Sequence, residues 1–154
     1  DTVKMFRSQV LFMEDLEMTA QELVPGLQMS LLRRYADAGR EIDFDVSIEA
    51  ARRIEQGGED ILSVDRVLDL FFLATELCTN DLKYGQGESM WRISVSGNDL
   101  IISQRNGMRN AAQSIHTPHR AGERVRRLSG KIQAEAVDGE YSVEVRIPLR
   151  GDRS

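Results

Sequence analysis

A helix that has to be buried, yet carries polar side chains on one wall, restricts the possible folds of this chain more than any other stretch. From Val64 to Tyr84 the sequence is apolar enough for a core, with Ser63 as an N-cap and Asp65 a favourable charge in the first turn. Glu76, Asn80 and Lys83 interrupt it at spacings of four and three. At about 100° per residue these side chains fall within about 60° of one another. A carboxylate, an amide oxygen and an ammonium on one wall can hold a metal-bound polyphosphate. The amide offers a hard oxygen to Mg²⁺, the lysine a point charge to phosphate, and the glutamate a base. The plain alternative is the solvated face of an amphipathic helix, because Asp65 and Asp69 share the stripe. Phe72 and Leu73, close beside it, argue for cover rather than open solvent.

The flanking segments supply a sheet. Residues 3–23 have a helical period (Met5, Phe12, Leu16, Ala20, Leu23). Val24-Pro25-Gly26 either breaks that helix or places Pro25 early in the next one, which runs to about Ala38 and buries Leu27, Leu31, Leu32 and Tyr35 before stopping at Gly39. Glu41–Ile48 alternates as a half-buried strand, with Ile42, Phe44, Val46 and Ile48 inward, and Glu49–Glu55 fits a short helix. Gly85-Gln86-Gly87 ends the long helix. Trp91, Ile93 and Val95 then form a strand, which turns at Gly97-Asn98-Asp99 and returns over Leu100–Ser103. Gln104–Arg120 has no period and is expected to be a loop. A short helix over Glu123–Leu128 precedes a hairpin that turns at Asp138-Gly139 and ends at Pro148, and the tail from Arg150 should fray. The pattern predicts an α/β (α+β) two-layer sandwich: a mixed, mostly antiparallel five-stranded sheet with about three helices on one face.

At 154 residues this is one domain's worth of chain. A single cysteine, Cys78, excludes an internal disulfide or a thiolate zinc cluster, and its azimuth opposite the polar stripe makes it a small buried hydrophobe. No apolar run approaches the roughly 18 residues of a membrane span and no signal peptide opens the chain, so a cytoplasmic location without membrane contact is expected. The sequence starts at Asp1 rather than Met, as expected of a piece of a longer protein. The net charge is −5, but residues 105–131 hold seven cations against one acid, Glu123, making that segment +6 and the remainder −11. Such a segment fits phosphate, nucleic acid or an acidic partner, or is simply a solvated helix face. It lacks interleaved aromatics, so no nucleic-acid partner is expected. His116 and His119, three apart, are set aside as metal ligands for want of a neighbouring carboxylate.

The run Glu76-Leu77-Cys78-Thr79-Asn80-Asp81-Leu82-Lys83-Tyr84-Gly85 resembles the N-box of the histidine-kinase ATPase domain, the Bergerat-fold family that also holds the gyrase, Hsp90 and MutL ATPases. The order of elements agrees. Glu123–Ile132 and the strand ending Val145-Arg146-Ile147-Pro148-Leu149 are similar to the end of sensor kinases that pair with NarL/LuxR-type response regulators. The resemblance covers about residues 20–149, with residues 1–19 as a helix continuing an upstream dimerisation segment and 150–154 as the tail. It implies a bacterial two-component sensor histidine kinase that takes ATP and Mg²⁺. The γ-phosphate would pass to a histidine on the upstream segment and then to a response regulator, with the full-length protein a homodimer. By the same resemblance Asn80 is the Mg²⁺ ligand, Glu76 the base or water-orienting carboxylate, Lys83 a phosphate contact, and Tyr84 and Gly107 lie beside the nucleotide. Thr79 packs or binds.

Two departures weigh against turnover. The family has Asp-x-Gly-x-Gly after the hairpin, where this chain reads Arg105-Asn106-Gly107-Met108-Arg109, a cation in place of an acceptor. The second glycine box reads Ile115-His116-Thr117-Pro118. The alternative is therefore a pseudokinase: a signalling or dimerisation module that has lost nucleotide binding.

Overall fold

Five strands form one sheet in the order β1-β2-β3-β5-β4. They are β1 (Ile42–Val46), β2 (Gly85–Ser96), β3 (Asp99–Met108), β4 (Lys131–Val137) and β5 (Glu140–Pro148). β1 runs parallel to β2, and every other neighbouring pair is antiparallel. The helices are α1 (Thr2–Gln21), α2 (Leu23–Asp37), α3 (Ile48–Gly57), α4 (Val64–Tyr84) and α5 (His119–Arg127). The computed structural model describes residues 2–58, 61–109 and 119–149, with side chains from residue 9 onward. Met5, the second glycine box with His116, and the tail 150–154 therefore lie outside the described side chains.

One apolar core lies between the sheet and the helices. α4 contributes Val67, Leu70, Phe71, Leu73, Ala74, Leu77 and Cys78, and the strands answer with Trp91, Ile93, Leu100, Ile102, Val143, Val145 and Ile147. The alternating residues Arg92, Ser103, Glu144 and Arg146 are left on the other face, as a period of two requires. The two-layer sandwich expected from the sequence is the architecture observed. α2, α4 and α5 form most of the helical layer, α3 crosses over between the parallel strands, and α1 packs on α2 and α4.

Local chemistry sets the boundaries. Ser63 Oγ accepts from Arg66 N (3.3 Å) at the start of α4, as read from the sequence, and Ser47 Oγ accepts from Ala50 N (3.1 Å) to start α3. Asp138 (φ 54°) and Gly139 (φ 80°) both take the left-handed conformation demanded by a two-residue hairpin turn. α1 and α2 are separated by Glu22 alone, in extended conformation, and Pro25 sits in the first turn of α2, where a missing N–H costs nothing.

The expectations that fail do so for identifiable reasons. Leu32 is 40% exposed, on the side of α2 away from the core-facing Leu27, Leu31 and Tyr35. Ile48 is 79% exposed, because the strand ends at Val46 and Ser47 turns the chain into α3. The expected loop from Gln104 is strand as far as Met108: Asn106 and Gly107 pair with Tyr141 and Glu140 of β5, and Gly107 pairs with Gln86 of β2. Its alternation is polar on both faces, so hydrophobic periodicity could not reveal it. α5 begins at His119 rather than Glu123.

Candidate functional site

The polar stripe of α4 faces α5. Arg124 Nη1 lies 3.4 Å from Asp69 Oδ1, and its guanidinium carbon sits 4.6 Å from the ring centroid of Phe72. One turn earlier on α5, Arg120 Nη1 lies 3.8 Å from Glu76 Oε1. The stripe is thus neither a plain solvated face nor a closed interface. The exposed guanidinium of Arg120 approaches a carboxylate only 27% exposed, loosely enough for a ligand group to compete for either.

Beyond Glu76 the wall is open. Asn80 is half-buried and makes no side-chain hydrogen bond to another described residue. Lys83 is exposed, its Nζ 5.1 Å from the ring centroid of the half-buried Tyr84. Thr79 is exposed. The end of β3 closes against this turn: Arg109 N donates to Tyr84 O (3.1 Å), and the Arg109 guanidinium donates to Gly85 O (2.8 Å) and Leu82 O (3.3 Å). These cationic donors at the last carbonyls complement the helix dipole. Gly107 stands next to Gln86 in the ladder, where a β-carbon would lie 3.2 Å from Gln86 O. Glu76, Asn80, Lys83 and Tyr84 thus line the C-terminal half of α4, and Gly107 is joined to that end through its ladder pairing with Gln86.

Arg105, the cation at the motif position, turns away from the helix. Its side chain lies on the sheet face away from α4, with Nε 3.4 Å from Glu140 Oε1 and Nη2 3.5 Å from Met90 Sδ. The residues that β3 turns toward α4 are its neighbours Gln104 and Asn106, both buried. Arg105 thus stays out of the space beside the helix.

What occupies that space is a polar cluster around Asp81, which sequence reasoning missed. The fully buried Asp81 carboxylate accepts from Tyr35 Oη (2.6 Å), Arg40 Nη1 (2.8 Å) and Gln104 Nε2 (3.2 Å). Arg40 Nη1 also donates to Asp81 O (3.0 Å), and its Nε to Gly87 O (2.9 Å). Ser89 Oγ donates to Tyr35 Oη (3.1 Å), Trp91 Nε1 reaches both hydroxyls, and Gln104 Nε2 also donates to Asn106 Oδ1 (2.6 Å). Burial pushes the Tyr35 phenol far up, with help from Cys78 and Asp81, and raises Tyr141 for the same first reason. A signal for this cluster was present: Asp81 continues the Leu70-Ala74-Leu77 stripe, and a carboxylate on a core stripe demands partners.

Cys78 is buried, and burial pushes its thiol up to about 11, so it is the inert hydrophobe expected. His119 does have a carboxylate beside it, Glu123 Oε1 at 3.2 Å, contrary to the sequence reading. Even so, no group of three His, Cys, Asp or Glu able to hold a metal occurs among the described residues.

No protein-family model and no curated protein matches the sequence. Solved structures do match. Over 95% of its length this chain superimposes on a blue-light-activated histidine kinase, EL346 of Erythrobacter litoralis, with a TM-score of 0.68 at 15% identity, and corresponds to 50% of that chain. The histidine kinase domain of the same protein gives a TM-score of 0.59 at 15% identity, over 81% of this chain and 60% of that one. The catalytic domain of the histidine kinase ThkA gives 0.56 at 12% identity, over 85% of this chain and 93% of that one. The chain thus has the fold of histidine-kinase catalytic domains.

Proposed function

We propose that this chain is the ATP-binding catalytic domain of a two-component sensor histidine kinase. The observation that carries the reading is the wall of Glu76, Asn80 and Lys83 at the open end of α4, on a fold shared with histidine-kinase domains. The donor set suits Mg²⁺ brought in with a polyphosphate: one amide oxygen from the protein, with the remaining ligands coming from phosphate and water. Asn80 would hold the metal, which would neutralise charge on the phosphates. Lys83 binds the phosphates as a point charge, with the Tyr84 ring beside it. Glu76, held near Arg120, takes the base or water-orienting role. Gly107 keeps the backbone low beside the base. Catalysis of this kind is positioning and charge stabilisation.

On the same reading, residues 1–19 continue an upstream dimerisation segment that bears the phosphoacceptor histidine, and the full-length protein is a homodimer. Phosphate then passes to a response regulator of the NarL/LuxR type. No helix among the described residues is long and apolar enough to cross a membrane, in keeping with a cytoplasmic domain.

The second reading, a pseudokinase, draws on the inner cluster. Tyr35, Arg40 and Gln104 already occupy the acceptor positions of Asp81, the buried carboxylate nearest this wall. Calorimetric titration with ATP, with and without Mg²⁺, separates the two readings. Heat that depends on Mg²⁺, with the dependence lost in Asn80→Ala, supports the kinase; no heat at millimolar nucleotide leaves the pseudokinase.

A further inference from the structure

We infer that Asp81 is the positioning residue of the phosphate wall: its buried carboxylate, held by Tyr35, Arg40 and Gln104, fixes the last turn of α4 and so the placement of Asn80 and Lys83. This rests on the reading of that wall as the ligand-binding surface.

The argument starts from the cost of burying a charge. A carboxylate without solvent persists only where donors replace water. Here the donors come from three separate elements: Tyr35 from α2, Arg40 from the connection before β1, and Gln104 from β3. α4 is therefore tied at one residue to all of them. Arg40 extends the tie to backbone, since it also bonds Asp81 O and Gly87 O across the helix-to-strand junction. The junction is shaped to allow it: a β-carbon on Gly85 would stand 2.0 Å from Asp81 Oδ1 and 2.4 Å from Asn106 Nδ2. Only glycine fits there.

Asn80, in contrast, has no partner among the described residues to fix it, and Lys83 has only the neighbouring ring. Their placement follows the backbone of the turn they share with Asp81. A terminal helical turn left to itself frays. A cluster that merely filled the core would not need a charge, since apolar residues of similar volume stabilise at least as well. A charge with directional donors fixes one geometry, which a ligand wall requires.

The test uses Tyr35→Phe, which removes one donor to Asp81 and keeps the packing. Thr19→Val is the control: it alters a buried hydroxyl between α1 and α2, remote from the wall. Two readouts are taken on the full chain: amide hydrogen exchange of residues 79–86, and the ATP titration with Mg²⁺. In Tyr35→Phe, exchange should quicken by roughly five- to tenfold within residues 79–86 and not elsewhere in α4, while Thr19→Val leaves that segment unchanged. Affinity should fall by a similar factor, and Tyr35→Phe combined with Asn80→Ala should lose less than the product of the two single losses. Uniform acceleration across the domain, unchanged exchange at 79–86, or losses that simply multiply would each overturn the inference. If the wild-type chain binds no nucleotide, the kinase reading fails by itself, and the exchange pattern still decides for or against Asp81.

Discussion

Asn80 and Asp81 are consecutive residues whose side chains point about 100° apart, and they sit in opposite chemical worlds. Asn80, Glu76 and Lys83 look outward toward α5 and solvent, with partners that are loose or lacking among the described residues. Asp81 looks inward and has its carboxylate fully engaged. One helical turn thus carries a surface kept available and a cluster kept satisfied. The difference teaches that polarity alone does not mark a site. What separates the two walls is whether the polar atoms already have partners.

The contrast is sharpest under truncation. Asp81→Ala leaves the nearly buried Arg40 guanidinium without its carboxylate, and should cost about 3–5 kcal/mol of stability in urea unfolding. If unfolding shifts by less than about 1 kcal/mol, the inner cluster is dispensable and the comparison collapses. If the proposed kinase reading holds, Glu76→Gln should leave folding intact while lowering phosphoryl transfer in the full-length protein by about 10²–10⁴-fold, measured with radiolabelled ATP. Asn80→Ala should change stability by no more than about 0.5 kcal/mol, since the half-buried amide has no described partner to lose.

Alkaline titration probes the inner side by itself. Cys78 rises from 9.0 to about 11 on folding, and Tyr35 rises further, so both hold their protons more tightly folded than unfolded. The Cys78 contribution is complete below about pH 9 and is lost as pH climbs through about 11, while that of Tyr35 starts to be lost only above about pH 10 and goes on falling at higher pH. Thermal melts between those values should fall, and Tyr35→Phe should flatten the decline. A flat profile in the wild type would mean that these groups are more accessible than the structure places them.

Much of the fold was legible because its signals are local. The cap at Ser63, the Asp138-Gly139 turn and the alternation in β1, β2 and β5 each depend on neighbours in sequence. The wall was legible for the same reason, since Glu76, Asn80 and Lys83 lie within two turns of one helix. The inner cluster was not, because its donors are Tyr35, Arg40 and Gln104, each far from Asp81 in sequence. The second half of β3 failed likewise: Gln104 and Asn106 are buried by hydrogen bonding rather than by hydrophobicity, so no apolar period betrays the strand. The direction of Arg105 was not legible, because a motif position does not say which face of a strand a side chain takes.

The two edges of the sheet will also be reached at different times. β4 joins β5 through a two-residue turn and can zip as soon as that turn forms. β1 runs parallel to β2, and the whole of α3 and α4 lies between them in the chain. Closing so long a loop before any pairing rewards it is slow. The edge beside β2 is therefore expected to form late in folding, with Arg40, which precedes β1, reaching Asp81 as that strand docks. The Arg40 contact of the inner cluster should therefore form together with the completion of the sheet.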